Sequence, residues 1–339
     1  MDKLCYSFLP KNNQSLYGVI EDALFHNKNG IPVKSQYSND DIRDTIEAVC
    51  YDNPDIISIN KTIYRIVSSF TSKQVNFRYI ASQGESTKRN QLLKAKLDEA
   101  VFEIDSKAKS DRETLQGISE YLQRNVIYDM DELQSVGAGG ASKRPDSHNA
   151  FGALVNGLAV CDGFSSAFAL IAREFGFNVM IISGTSNHFG SSSIDHAWNI
   201  VEFEGKYYHI DATWDEGNYQ DCQEYPYFYF GLSDEEIAID HDWDYHKTPP
   251  CDDTALSYYE YNHLLASSMD QVENIIAREI RQGKNAIRMK LSPKVVVPDD
   301  NGAFLGKKVA SIGATIMNGR IEYRYMWNEP TRCFIAILK

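Results

Sequence analysis

The chain has 339 residues, enough for two or three compact domains, each with its own core. With 43% hydrophobic and 24% charged residues, its composition is that of a folded globular protein and excludes wholesale disorder. A net charge of -13 sets the surface against phosphate backbones and anionic lipid, so neither nucleic acid nor a membrane is expected as the main partner, whereas protein or peptide substrates remain compatible.

Six cysteines, at 5, 50, 161, 222, 251 and 333, form no C-x-x-C pair and read as scattered thiols rather than a disulfide framework. The start, Met1-Asp2-Lys3-Leu4-Cys5-Tyr6, lacks a charged segment followed by an apolar run, and no later stretch approaches a membrane span. The sequence as given is therefore expected to be cytoplasmic, although a secreted or cell-surface protein trimmed of its signal peptide reads the same. Oligomeric state is not fixed by the sequence.

Residues 1–109 alternate helix and strand signals and read as a small α+β domain. Leu16, Val19, Ile20, Ala23 and Leu24 recur at helical spacing, and Asn39 is placed to cap a second helix stopped by Asn53-Pro54. Val75, Phe77 and Tyr79 alternate as in a strand, and an amphipathic helix is expected over 85–108. No catalytic chemistry is legible in this segment. Residues 110–250 form the expected central domain. Ser110-Asp111-Arg112-Glu113 is a capping box at its start, and the small-residue run 135–147 reads as a mobile loop. Tyr225–Leu232 reads as a strand. The last domain, 251–339, is expected to hold a helix over 269–282, a strand over 286–291, a hairpin turn at Asn318-Gly319 and a final strand over 334–338.

The chemistry concentrates between 161 and 215. Phe164, Phe168, Ile171 and Phe175 recur at helical spacing and Gly176 suits a position just past a helix end, which puts Cys161 at a helix N-terminus. Unpaired N–H groups and the macrodipole there stabilise a thiolate, although most cysteines in such chains are simply small buried hydrophobes. Further on, His196–Phe203 and Lys206–Thr213 read as a hairpin joined by a two-residue Glu204-Gly205 turn. In that register Trp198 faces Asp211 and His196 faces Thr213. His196 and Asp211 are then diagonal neighbours on one face, with Cα atoms about 7–8 Å apart, within reach of an imidazole–carboxylate hydrogen bond. Alone, such a pair is more often a surface contact. With a helix-start cysteine upstream it becomes a nucleophile, its base and the base's orienter.

Three blocks, Gly157-Leu158-Ala159-Val160-Cys161-Asp162-Gly163-Phe164, His196-Ala197-Trp198-Asn199 and Tyr208-His209-Ile210-Asp211-Ala212-Thr213-Trp214-Asp215, resemble the motifs of the transglutaminase-like superfamily. The resemblance covers about residues 111–246, and the flanks are only loosely similar to those of multidomain bacterial members. It implies an α+β fold with a papain-like core, the cysteine at a helix N-terminus packed on an antiparallel sheet. It also implies a thioester intermediate formed by Cys161, with His196 as base and then acid and Asp211 as orienter. The reaction would transfer a glutamine acyl group to an amine or to water. Peptidase or amidase chemistry on the same fold is the alternative, and a non-catalytic binding protein that kept the fold is the competing reading from outside enzymology.

The resemblance implies the backbone N–H of Cys161 as one oxyanion donor. Animal transglutaminases carry a tryptophan upstream of the cysteine, whereas all four here (198, 214, 243 and 327) follow it. Asn125 and Tyr128 are the candidates for the second donor, and Trp198 and His188 the candidate substrate contacts. His209 is expected to pack or hydrogen-bond structurally, and His148 to lie near the cleft. His241, Asp242, Asp244 and His246 have metal-ligand chemistry but read as a solvated turn. No EF-hand-like loop is present, so no metal and no cofactor is implied.

Overall fold

The computed structural model describes residues 3–69, 72–137, 139–187 and 193–339, apart from the side chains of 60–63 and 222. Helices and strands mix throughout, as the α+β reading expects. The centre is a five-stranded sheet, antiparallel throughout, in the order His241–Trp243, Val179–Ser186, Ile194–Phe203, Lys206–Ile210, Phe230–Leu232. A three-stranded antiparallel sheet precedes it in the chain and a four-stranded mixed sheet follows it. No helix among the described residues is long and apolar enough to cross a membrane.

The Cys161–Glu174 helix forms as its pattern dictates. Phe164, Phe168 and Ile171 are fully buried, and Gly176, at φ +88°, reverses the chain beyond its last turn. Gly163 faces the 147–149 segment so closely that a Cβ there would meet the Ser147 carbonyl oxygen at 2.6 Å. Ser165 then pins the helix to the sheet. Its hydroxyl lies between the carbonyls of Cys161 and Ala197, at 2.8 and 2.9 Å, and Asn199 Nδ2 donates to the Ser165 carbonyl at 3.1 Å. The start of the helix is thereby held beside the strand that carries His196.

The hairpin has the expected register, with Asn199 opposite Ile210 and Phe203 opposite Lys206, and Glu204-Gly205 turns with both φ positive. Its second strand ends at Ile210, however, because Asp211 leaves the ladder to cap the Ala212–Cys222 helix. Five further expectations are corrected. The Tyr225–Leu232 strand shrinks to Phe230–Leu232, since the N–H groups of Phe228 and Tyr229 are taken by the Asp215 carboxylate instead of a neighbouring strand. Asn318 does not turn a hairpin; it closes the Ala303–Met317 helix at φ 56°, a left-handed position that asparagine tolerates in either setting. Ser38, not Asn39, caps the second N-terminal helix named above. Of the Ser110 box only half forms, as Glu113 turns to the Lys109 N–H. The 135–147 run begins as the end of the Met130–Gly137 helix, and its far end is tied down where the Lys143 and Arg144 N–H groups both donate to Glu132 at 2.9 Å.

Gly184, in the strand between His196 and Trp243, is opposite both. A Cβ there would collide with the Asp242 carbonyl oxygen and meet the Trp198 ring at 2.9 Å. Gly184→Ala is therefore expected to destabilise the protein by about 1–3 kcal/mol, read as a lower urea midpoint with an unchanged slope. A midpoint equal to wild type would show that this crossing has slack.

Candidate active site

Asp211 is almost completely buried, and all its acceptor capacity is used. Oδ1 takes the backbone N–H groups of Thr213 and Trp214, at 2.9 and 3.1 Å, as an N-cap. Oδ2 takes Nε2–H of His196 at 2.6 Å and Nε2–H of His241 at 3.1 Å. Burial alone would raise the carboxyl pKa; the charge and hydrogen bond of His196, with help from His241, hold it well below the usual carboxylate range.

With Nε2 committed to Asp211, His196 has Nδ1 left for another partner, and Cys161 supplies it: the thiol lies within hydrogen-bonding range of the ring. Burial works to lower the His196 pKa, but Asp211 and Cys161 outweigh it and push it up to about 9. Trp198 stacks on the imidazole at a centroid distance of 5.7 Å and 18°, while Trp214 leans on it at 5.9 Å. The sequence-expected nucleophile, base and orienter are thus brought together.

The remaining candidates divide. Tyr128 is at the site: its hydroxyl oxygen faces the backbone N–H of Cys161, and its phenol pKa is raised by burial and by the charges of Cys161, Asp162 and Asp211. Asn125 is not. It is exposed and turns its amide back to the Tyr121 carbonyl at 2.8 Å, as a residue in the last turn of a helix readily does. Trp198 cannot reach a substrate, because it is buried beneath His196 and spends its indole N–H on His209 Nδ1 at 3.0 Å. His188 lies outside the described residues. His148 bridges Glu132 and Asp162 at 3.2 and 3.3 Å, a support under the residue that follows Cys161.

Two groups escaped the sequence reading. His241 is no part of a solvated turn; it is buried on the edge strand, with Nδ1 2.5 Å from Asp240. Its alternation with Trp243 across Asp242 was the available signal. From the N-terminal segment, Tyr51 comes within electrostatic range of Cys161 and Asp162, and its pKa is raised by burial, Glu47 and both of those groups. Tyr51 and Glu47 line a cavity of about 330 Å³ together with Leu9, Ala48, Ile182 and Trp243.

Two sets of described residues have the chemistry to hold a metal, His196 with Asp211 and His241, and His209 with Asp234 and Cys251. In the first, each imidazole nitrogen facing Asp211 already donates a proton to it. In the second, Trp198 donates to His209 Nδ1, so Nε2 must carry the proton that bridges to Asp234 at 2.8 Å. Both sets are hydrogen-bonded networks.

Residues 98–212 match the family described as the transglutaminase-like superfamily. This segment is similar to transglutaminase-like domains. Curated proteins similar to this chain include the kyphoscoliosis peptidases of Mus musculus, 28% identical over 132 residues, and Homo sapiens, 29% over 131. Each alignment covers 37% of this chain but only 19% of the relative, so the chain spans about a fifth of their length. Two solved structures are also similar. One is a crystal structure titled as a TGase, with TM-score 0.32 and 16% identity over 44% of this chain and 43% of that one. The other is a putative cysteine protease from Cytophaga hutchinsonii, with TM-score 0.28 and 12% identity over 44% and 61%. Likenesses this slight carry no argument about activity.

The raised His196 pKa fixes the sign of one pH effect. A group whose pKa is higher folded than unfolded contributes its full stabilisation below the unfolded value, near 6.5, and loses it as pH rises through about 9. The difference in melting temperature between wild type and His196→Gln is expected to be largest at pH 6 and to shrink steadily towards pH 9. A difference flat across that range would mean that the imidazolium is not favoured by the fold.

Proposed function

We propose that the protein is a cysteine-dependent acyltransferase or hydrolase acting on amide groups of protein or peptide substrates. The observation that carries this reading is the 2.6 Å bond from His196 to Asp211, which leaves the other imidazole nitrogen to a cysteine at a helix N-terminus. In this reading Cys161 is the nucleophile, His196 the base and then the acid, and Asp211 the orienter. His196 takes the thiol proton, and the thiolate sulfur forms a bond to the carboxamide carbon. The resulting oxyanion is met by the Cys161 N–H, with the Tyr128 hydroxyl beside it. The imidazolium then protonates the leaving nitrogen as the carbon–nitrogen bond breaks, giving ammonia or an amine and a thioester. An incoming amine or water, deprotonated by His196, attacks the thioester and releases the thiol.

The domain boundaries expected from the sequence, at 109/110 and 250/251, are kept in this reading. The middle segment supplies the three reacting groups, and the N-terminal segment supplies a wall beside them. The cavity beside Tyr51 suits an apolar side chain flanking the reactive amide, with Glu47 and Asp44 at its polar rim.

The test is a glutamine-containing peptide incubated with and without a primary amine, with ammonia release and product mass followed together. Wild type is expected to yield either the amine adduct or the glutamate peptide, or to cut the chain. Cys161→Ala is expected to yield nothing, and Asp211→Asn to lower kcat by at least about 100-fold through loss of the tautomer and of the charge behind it. Product formation undiminished in Cys161→Ala would overturn the reading, as would a Cys161 thiol no more reactive to iodoacetamide than a free thiol.

A further inference from the structure

Asp211 serves two imidazoles, and the mechanism above uses only one. His241 approaches the same oxygen from the edge strand across Val179–Ser186, with its ring centroid 5.3 Å from that of His196. Both of its nitrogens face carboxylates, Nε2 towards Asp211 at 3.1 Å and Nδ1 towards Asp240 at 2.5 Å. A neutral ring would aim a lone pair at one of them, so only the imidazolium satisfies both. Asp240 is in turn fixed by the Tyr229 hydroxyl at 2.7 Å, and Tyr229 accepts Asn328 Nδ2 at 3.3 Å. The ring is walled by Trp198, Trp214 and Tyr229 at 4.7 to 5.7 Å, which keeps this charge out of water.

We propose that His241, clamped between Asp211 and Asp240, is a positioning residue that governs how firmly Asp211 holds the proton of His196. This rests on the catalytic reading for its purpose but not for its test. Geometrically, His241 fixes Oδ2 of Asp211 so that its second lone pair lies along the His196 Nε2–H direction. Electrostatically, its positive charge competes with His196 for the same carboxylate. Without that competition, Asp211 would hold the His196 imidazolium too tightly for it to release a proton to a leaving amine near neutral pH. The other titratable groups facing this network are Cys161 beside His196, His209 beyond Trp198, Asp215 one turn after Asp211, and Tyr128 and Tyr229. Burial and the charge of His241 favour neutral His209, burial and the charge of Asp211 favour the protonated form of Asp215, and burial favours the neutral form of both tyrosines, so none of these four replaces the charge of His241.

The experiment follows the His196 ring by ¹⁵N-labelled histidine NMR across pH 5 to 11, in the full chain carrying Cys161→Ala. The Cys161→Ala background removes the thiol from the titration. His241→Gln retains an amide donor for Asp211 but removes the charge, and the His196 midpoint is expected to move up by about one pH unit. Asp240→Asn, which strips His241 of the partner that keeps it charged, is expected to move the midpoint in the same direction and by less. It also serves as the second variant should His241→Gln fail to fold. A midpoint unmoved or lowered in the folded variants would overturn the proposal, since a packing role alone leaves it unmoved. Iodoacetamide reactivity of the wild-type thiol is measured in parallel. If Cys161 proves inert while the His196 midpoint still shifts, the catalytic reading fails and the coupling stands; a reactive thiol with an unmoved midpoint gives the reverse.

Discussion

A carboxylate with no access to water is the constraint around which the central sheet is arranged. Burying the Asp211 charge costs several kcal/mol unless donors replace its hydration, and four do so. Two are the free N–H groups of the first turn of the following helix, where the macrodipole also favours a negative charge. Two are imidazoles from strands on either side of Val179–Ser186. The carboxylate therefore ties a strand end, a helix start and two further strands to a single point. That is why the hairpin strand stops at Ile210: one more ladder pair would cost Asp211 its role as a cap.

Opposite this point, the cysteine is held by a different device. The buried Asp129 accepts from Ser147 at 2.7 Å, Arg144 at 2.6 Å and the Glu132 N–H at 3.1 Å. Glu132 gathers two backbone N–H groups of the 143–144 stretch and His148. In the segment so fixed, the Ser147 carbonyl accepts the Val160 N–H at 2.9 Å, directly before the Cys161 helix begins. Cys161 is thus set by a polar scaffold on one side and by Ser165 against the sheet on the other. Neither support touches the sulfur, and both fix where it points.

Legibility in the sequence followed the range of the interaction. Hydrophobic periodicity placed the Cys161 helix, and the Glu204-Gly205 turn fixed a register that brought His196 and Asp211 to one face. Both are local signals with a definite period. Asn318-Gly319 misled because a left-handed asparagine ends a helix as well as it turns a hairpin, and only the burial of Leu305, Val309 and Gly313 on one side of the preceding run decides between them. Trp198 misled differently: it was a candidate substrate contact, but the same face carries His209, which takes its indole proton. His241 was illegible as a partner of Asp211 because 30 residues and the passage from one edge of the sheet to the other separate them. No local pattern reports which edge strand closes a sheet.

The flanking segments are also more than spacers in physical terms. Arg173, in the last turn of the Cys161 helix, donates to the carbonyls of Tyr51 and Asp52 at 3.3 and 2.9 Å, so the N-terminal segment is bonded to the helix that begins with Cys161. Asn328, at the end of a strand in the C-terminal sheet, reaches Tyr229 and through it Asp240 and His241. Buried hydrogen-bond networks are costly to leave half-made, so displacement of either flank would strand polar groups next to Cys161, His196 and Asp211. The sheet with its two imidazoles and one carboxylate is therefore tied to both flanking segments by polar groups, to the N-terminal one through Arg173 and to the C-terminal one through the Asp240–Tyr229–Asn328 chain.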